Sequence, residues 1–559
     1  MSGFHYAGRY TWFGPPGTGK TTMLARQVRA IVEQYKHAGA FGKQNPVLIC
    51  SLTRTAAAEI GGRDLGLSPR MVGTLHAHCF RALGTPRVLD RKAVAAFNDL
   101  HPSLAITPDE GLDEEDLLPG ERPSATPADR FRERYDLYRH RMIPRDRWLP
   151  LVTDFAEKFE AFKIEHECVD FTDMIELCAD GHVDPPGDPA VVIADEAQDF
   201  SRLEYNVVSN WGDAAGALMI VGDPWQTLYE WRGADPHLFD DPTSQRKVLR
   251  QSYRVPRRVR DAAIGWVRRN LSTFDASIEY EPRDEEGQTE WRGWKLKDPS
   301  PLVTDIIERS SDGESCMVCA ACDYMLKPVL NELRAAGVPY ANPWRRKRGD
   351  WNPLWGGAGV RFVSRLLAVL RPLARLWGEE RTDWTNREIL YWTEALKQRG
   401  ILKYGVRADL EERAKSDPDG LNDPAMLRSF MDDEPAWELL ELYDKQDLGA
   451  VAGWWRDRLL AKFKQRSDFP MRVLLKWGIG AVVRPPNVYI GTIHSFKGAE
   501  ADNVYVSPDV SPATQREIDE GKMDPTARLF YVAMTRARRR LVVLDTSGGH
   551  SVDVQAHVL

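Results

Sequence analysis

The chain has 559 residues, of which 43% are hydrophobic and 28% charged, with a net charge of −7. That length exceeds a single core and predicts about three to four domains. No apolar run approaches the roughly 20 residues that cross a bilayer, and the opening MSGFHYAGRY lacks the basic segment and apolar core of a signal peptide. An intracellular protein is expected, without membrane contact, and cytoplasmic for a bacterial or phage source.

In chain order, short β-branched runs recur at 9–13, 46–50, 191–195, 217–221, 316–320, 488–492, 503–507 and 540–544. Each leads into a polar loop and then helical periodicity, as in TTMLARQVRAIVEQY (21–35), which predicts parallel sheets with crossover helices. Two intervals differ in texture. The first, 85–188, holds a Pro-rich acidic stretch (108–128) that reads as a mobile loop, followed by a helical RFRERYDLYRHRM. The second, 346–485, is rich in Trp, Leu and Arg and carries helical patterns such as VRFVSRLLAVLRPLARLW. Both read as mostly helical insertions within α/β cores.

The acidic net charge argues weakly against a nucleic-acid partner, but distribution matters more than the sum. Basic residues cluster at 245–260, 343–348 (PWRRKR) and 535–540; PWRRKR alone reads as a solvated face. Cys316, Cys319 and Cys322 are spaced like metal ligands, yet SCMVCAA reads as a buried strand that would send Cys316 and Cys319 to opposite faces. His76 and His78, beside Cys79, are equally weak as a metal site. The Cys pattern suggests no disulfide framework.

GPPGTGKTT (14–22) fits G-x-x-x-x-G-K-[ST] between a strand and a helix, the context that a phosphate-binding loop requires. Gly14, Pro15, Pro16, Gly17, Thr18, Gly19, Lys20, Thr21 and Thr22 would cradle the nucleotide. Lys20 would reach the β- and γ-phosphates of ATP, and Thr21 would hold Mg2+. In VVIADEAQD (191–199), an apolar strand delivers Asp195, suited to Mg2+, and Glu196, suited to act as general base. VGDPWQTLYEWRGA (221–234) then joins polar Asp223 and Gln226 to aromatic Tyr229 and Trp231, as if one loop served two ligands.

These segments, with LRQSYRVP, TIHSFKGAEAD and RLFYVAMTRAR, occur in the order seen in superfamily 1 DNA helicases, and the chain resembles the UvrD/Rep/PcrA-type branch. The resemblance covers both motor cores and is weak across the two insertions. It implies two RecA-like α/β domains, each interrupted by a helical insertion. Residues 1–84 and 189–247 would form the first motor, around an insertion at 85–188; residues 248–345 and 486–559 would form the second, around 346–485. By resemblance, Asp223 and Gln226 sense γ-phosphate and Mg2+, Tyr253 stacks on adenine, Arg254 reaches the γ-phosphate, Arg536 is an arginine finger and Glu500 meets the ribose. Tyr229 and Trp231 would lie against DNA bases, where stacking contributes roughly 1–3 kcal/mol per base. Thr492, His494, Lys497 and Gly498 resemble a DNA-contacting motif; Thr53, Thr74 and His76 match two others more softly, and DFTDMI (170–175) matches a short one. Arg538, Arg539 and Arg540 read instead as surface ion-pair residues.

YEWRGA and FKGAE, rather than a proline-bearing loop and a Gln-Gly pair, resemble the branch that moves 3′ to 5′. Three features depart from the family. The first Gln is Gln27, after the phosphate loop, which suggests relaxed nucleotide selectivity; Leu52 stands where an aromatic base pocket is frequent; and the second insertion is short. The leading expectation is an ATP- and Mg2+-dependent helicase acting on single-stranded and tailed duplex DNA. A translocase that strips proteins and barely unwinds, or unwinds with a stimulating protein partner, is the alternative. An RNA-directed helicase and a non-motor ATPase fit the aromatic loop less well.

Overall fold

Leu24, Val28 and Ile31 recur every three or four residues along the helix Lys20–His37, and this apolar stripe packs on Tyr10, Trp12, Ile49, Ile193 and Met219 of a sheet. The structure, a computed structural model, describes residues 7–37, 45–108, 126–239, 241–345, 349–356 and 358–558. Its strands in order are β1 (Gly8–Phe13), β2 (Val47–Ser51), β3 (Val72–Thr74), β4 (Val191–Asp195), β5 (Ala217–Gly222), β6 (Gln245–Val248), β7 (Gln251–Pro256), β8 (Glu281–Arg283), β9 (Gln288–Arg292), β10 (Cys316–Ala320), β11 (Trp384–Thr385), β12 (Leu421–Asn422), β13 (Val488–Thr492), β14 (Ala501–Val506) and β15 (Ala537–Leu544). Two compact units result. One is Met1–Thr289 with Pro512–Leu541 and Ala556–Leu559; the other is Glu290–Ser511 with Val542–Gln555.

The first unit holds a six-stranded sheet of order β3-β2-β4-β5-β1-β6, parallel at every pairing. Phe13 pairs with Gly222, Val221 with Asp195, Asp195 with Ser51, and Ser51 with Thr74. Parallel strands place their carboxyl ends on one edge, so loops far apart in sequence meet there. β6, drawn from a basic cluster, is an edge strand whose Arg246 and Lys247 lie over the Phe13 and Trp12 rings at 4.7 and 4.8 Å. Their stems cover the apolar edge.

The interval 85–188 carries the helices Arg91–Leu100, Pro127–His140, Pro150–Glu165 and Phe171–Ala179. Phe97 sits edge-on against Phe155, Phe159 and Phe162 at its centre. Most of the acidic stretch expected as a mobile loop, 109–125, lies outside the described residues. After it, Thr126 and Asp129 form a reciprocal cap on Pro127–His140. Beneath the helices, Arg139 binds Asp170, Asp173 and Glu176, while Lys163 binds Asp170 at 2.5 Å and Asp173 at 2.7 Å. Burial would raise the Asp170 carboxyl, but Lys163 and Arg139 overcome it and hold the group below the usual carboxylate range.

The second unit carries a sheet of order β13-β10-β14-β15-β9, with β10 parallel to both neighbours. Cys316, Val318 and Ala320 share one core face of β10. A helical insertion packs Leu366, Ile389, Trp384, Trp392 and Trp455 into its own core. The helical pattern at 360–377 forms the helix Ala358–Leu370 followed by a tighter helical turn, Arg371–Trp377. Pro372 lacks the N–H needed to extend it. Two basic residues are corrected. Arg540, expected at the surface, is buried on β15, and Arg345 of PWRRKR is buried over the Trp351 ring; 346–348 lie outside the described residues. No helix among the described residues is long and apolar enough to cross a membrane.

Replacing Arg139 with Met should destabilise the protein by about 3–5 kcal/mol, because it takes one of two cations from the buried Asp170 and leaves Lys163 to balance it together with Asp173. Denaturant unfolding checks this, and a loss below about 1 kcal/mol would show that water reaches the cluster.

Candidate nucleotide and nucleic-acid site

β1 ends at Phe13, six residues turn, and a helix begins at Lys20. Gly17 has φ +71°, and a Cβ there would stand 2.3 Å from the Arg254 Cβ, so both the backbone and its neighbour require glycine. Thr18 Oγ1 donates to the Pro15 carbonyl at 2.8 Å. Lys20 Nζ donates to the Gly14 carbonyl at 2.9 Å and lies 3.6 Å from Glu196 Oε1. Thr22 Oγ1 accepts from Arg63. On the other side of the loop, Tyr253 N–H donates to Gly17 O and Ser252 Oγ to Pro16 O, both at 2.8 Å. Arg254 is thereby held beside the loop, with the Tyr253 ring 73% exposed and open to stacking.

The acidic strand end completes this edge. Asp195 is buried at the last position of β4, and Glu196 takes φ 52°, a left-handed conformation that is uncommon and strained for a non-glycine residue. Gln198 Nε2 donates to Glu196 Oε2 at 2.5 Å, and its Oε1 accepts from Asp223 N–H at 3.1 Å. Gly222 permits this approach, since a Cβ would stand 2.1 Å from Gln198 Oε1. Asp223 accepts from Gln226 Nε2 at 2.7 Å, and Gln226 Oε1 accepts from Arg536 Nη2 at 2.9 Å. Burial pushes the Asp223 carboxyl above its usual value, against the Lys20 charge and the Gln226 bond. Arg536 is 1% exposed and also donates to Val532 O. The Asp195 carboxylate and Thr21 hydroxyl are hard oxygen donors, the chemistry that Mg2+ prefers.

Beyond Gln226 the same segment becomes a platform. Leu228 N–H donates to Asp199, and Arg232 pairs with the buried Glu204 at 3.1 Å. Ala234 bridges to Ser201. Between these anchors the Tyr229 and Trp231 rings lie 6.3 Å apart, with Trp231 38% exposed. Such a ring can stack on any base.

Residues 5–246 match the UvrD/REP helicase N-terminal domain, and residues 479–548 the UvrD-like helicase C-terminal domain; together they cover more than half of the 559 residues. The chain belongs to the UvrD-like family of superfamily 1 DNA helicases. It is 23% identical to the putative ATP-dependent DNA helicase YjcD of Bacillus subtilis, over 94% of this chain and 75% of that one. To the probable DNA helicase II homolog of Mycoplasma pneumoniae it is 25% identical, over 95% of this chain and 81% of that one. To DNA helicase II of Escherichia coli it is 24% identical, over 63% of this chain and only 55% of that protein's length.

The remaining residues that a UvrD-like helicase would bring to DNA are distributed as follows. Thr53 and Thr74 cap the helices Arg54–Gly61 and Leu75–Ala82, their hydroxyls accepting from Ala56 and Ala77 N–H. The His76 ring stands edge-on to Phe171 at 6.0 Å. In the second unit, Thr492 ends β13 and accepts from Ser495 N–H, His494 opens a short turn, Lys497 and Gly498 follow, and Glu500 immediately precedes β14. Sequence reasoning passed over Gln198, Asp199 and Glu204. The only signal for the first two was their position inside the acidic motif.

His78 is buried, with Nε2 at 2.9 Å from Ile49 O and Nδ1 at 2.6 Å from Arg81 Nη2. Arginine only donates, so Nδ1 accepts, Nε2 donates to the carbonyl, and the ring is neutral. Burial lowers its pKa to about 4, against the Ile49 bond and with the Arg81 charge. The folded value lies below the unfolded value of about 6.5, so the unfolded chain takes up the proton first. Its stabilising contribution should be complete above about pH 6.5 and fall away towards pH 4. Urea unfolding across that range should show the slope, and His78→Gln should flatten it.

Proposed function

We propose that this UvrD-like helicase converts ATP hydrolysis into 3′-to-5′ movement along single-stranded DNA and thereby unwinds tailed duplexes. The observation that carries the reading is the continuous line from Lys20 through Glu196, Gln198, Asp223 and Gln226 to Arg536, built on the loop that also presents Trp231. In this reading the loop 14–19 and Lys20 hold the phosphates, Tyr253 stacks on the base and Glu500 meets the ribose. Thr21 and Asp195 would hold Mg2+, which supplies charge neutralisation on the phosphates. Glu196 orients and deprotonates the attacking water, and Gln226, Arg254 and Arg536 meet charge on the γ-phosphate. Arginine suits the last two places because its planar fork matches phosphate oxygens and never loses its charge. Tyr229 and Trp231, with Thr53, Thr74, His76, Thr492, His494 and Lys497, form the DNA track. The six-segment division, with motors at 1–84 plus 189–247 and 248–345 plus 486–559, belongs to this proposal, as does action in the cytoplasm.

Polarity is supported by the aromatic loop YEWRGA. The short second insertion favours a second reading, a translocase whose unwinding needs a protein partner. Strand displacement on matched duplexes with a 3′ or a 5′ tail separates these. Opening from the 3′ tail alone, lost in Lys20→Ala, is expected; opening from the 5′ tail would overturn the polarity. No opening, with ATP hydrolysis still stimulated by single-stranded DNA, would favour the translocase. Arg536→Ala should lower kcat by about 10³-fold or more with little change in KM, read by steady-state ATP turnover.

A further inference from the structure

One charged residue interrupts the aromatic platform. Glu230 stands between Tyr229 and Trp231, and its carboxylate accepts from Arg528 Nη1 at 2.5 Å. Arg528 lies on the helix Asp524–Met534, which leads directly into Arg536. The arginine is 2% exposed and also reaches Thr273 Oγ1 at 3.2 Å and Asp524 at 3.7 Å, so its guanidinium is fixed in place. Burial raises the Glu230 carboxyl, and the Arg528 charge opposes that rise.

The pair is accompanied by other contacts between the loop and this helix or the residues just after it. Gln226 meets Arg536 just past its end, and Trp225 sits edge-on to Tyr531, with its other contact a stack on Phe274. Of these contacts, Glu230 to Arg528 involves the residue next to Trp231 in the chain. From Arg528 the helix runs about 9 Å to its end at Met534, two residues before Arg536. A packed helix moves as a rigid body, so a shift of Glu230 is passed along it. The loop's opposite side is braced too: Arg141 Nη2 donates to Glu230 O at 2.8 Å, and a Cβ on Gly233 would stand 2.9 Å from His140 Cβ. A base settling on Trp231 therefore has few ways to move the loop, and the ion pair is a direct route to the helix.

We propose that Glu230 and Arg528 are a positioning pair, which ties base occupancy at Trp231 to the setting of Arg536 and so governs how strongly single-stranded DNA stimulates ATP hydrolysis. The inference rests on the helicase reading above. Neither residue touches nucleotide or base; both act through the loop and the helix they join.

Glu230→Gln keeps the shape and removes the charge. Turnover is measured without DNA and with saturating single-stranded DNA, alongside the dissociation constant for a fluorescent oligonucleotide. DNA-stimulated kcat should fall about tenfold, while DNA-free turnover and the oligonucleotide dissociation constant stay within about twofold. Arg528→Lys, which retains charge but not the fork, should give intermediate stimulation, and it stands in if Glu230→Gln fails to fold. Exchanging the two charges should restore part of the loss. Wild-type stimulation in Glu230→Gln would overturn the proposal. So would a loss of stimulation matched by lost oligonucleotide affinity, because the pair would then merely shape the platform. A wild-type enzyme that single-stranded DNA does not stimulate would instead sink the helicase reading itself.

Discussion

The amide of Gln226 fixes the arrangement around it. Arg536 can only donate, so the amide oxygen must face it, and the amide nitrogen then faces the buried carboxylate of Asp223. Burial raises the Asp223 carboxyl, while Lys20 and the Gln226 bond favour its charged form. Asp223 in turn positions its N–H against Gln198, and Gln198 holds the strained Glu196. Gln198, Asp223, Gln226 and Arg536 are buried, and a half-satisfied network there would be costly. Moving Gln226 therefore disturbs both the acidic strand end and Arg536.

The parallel sheet lets this line exist. Five strand ends drawn from residues 13 to 222 lie along one edge because each strand runs the same way as its neighbour. In the proposed reading, the loop after β1 cradles phosphate, the one after β4 supplies acidic groups, and the segment after β5 faces both ligands. The segment after β5 is the natural connector. Its polar half remains at the edge, and its aromatic half is carried outward between the Asp199, Glu204 and Arg528 anchors. Coupling between ligands then needs no long-range device, only a short loop gripped at both ends.

Much of this was legible in the sequence because it is local. The phosphate loop, the acidic strand end and the buried strands are each specified within about ten residues by glycine placement, β-branched runs and strand-to-helix changes. VVIAD and CMVCA form strands over those same residues. Other features depend on partners that spacing does not reveal. β6 is an edge strand made from a basic cluster, stable because Trp12 and Phe13 lie beneath its cations. Arg540 is buried on β15 while Arg538 and Arg539 of the same strand stay exposed, although TRARRR reads as a charged surface throughout. Glu230 and Arg528 are 298 residues apart and invisible as a pair until the helix is docked. Thr53 and Thr74, read as DNA contacts, also cap helices, so their residue type has a local explanation as well.

The central claim is that one loop links nucleotide and base. The most direct test is the affinity of the wild-type protein for a fluorescent single-stranded oligonucleotide, with and without a non-hydrolysable ATP analogue and Mg2+. Coupling through Gln226 and its neighbours predicts a change of about fivefold or more, matched by a reciprocal change in analogue affinity when DNA is present. Equal affinities in the two states, at a nucleotide concentration shown to saturate, would contradict the account.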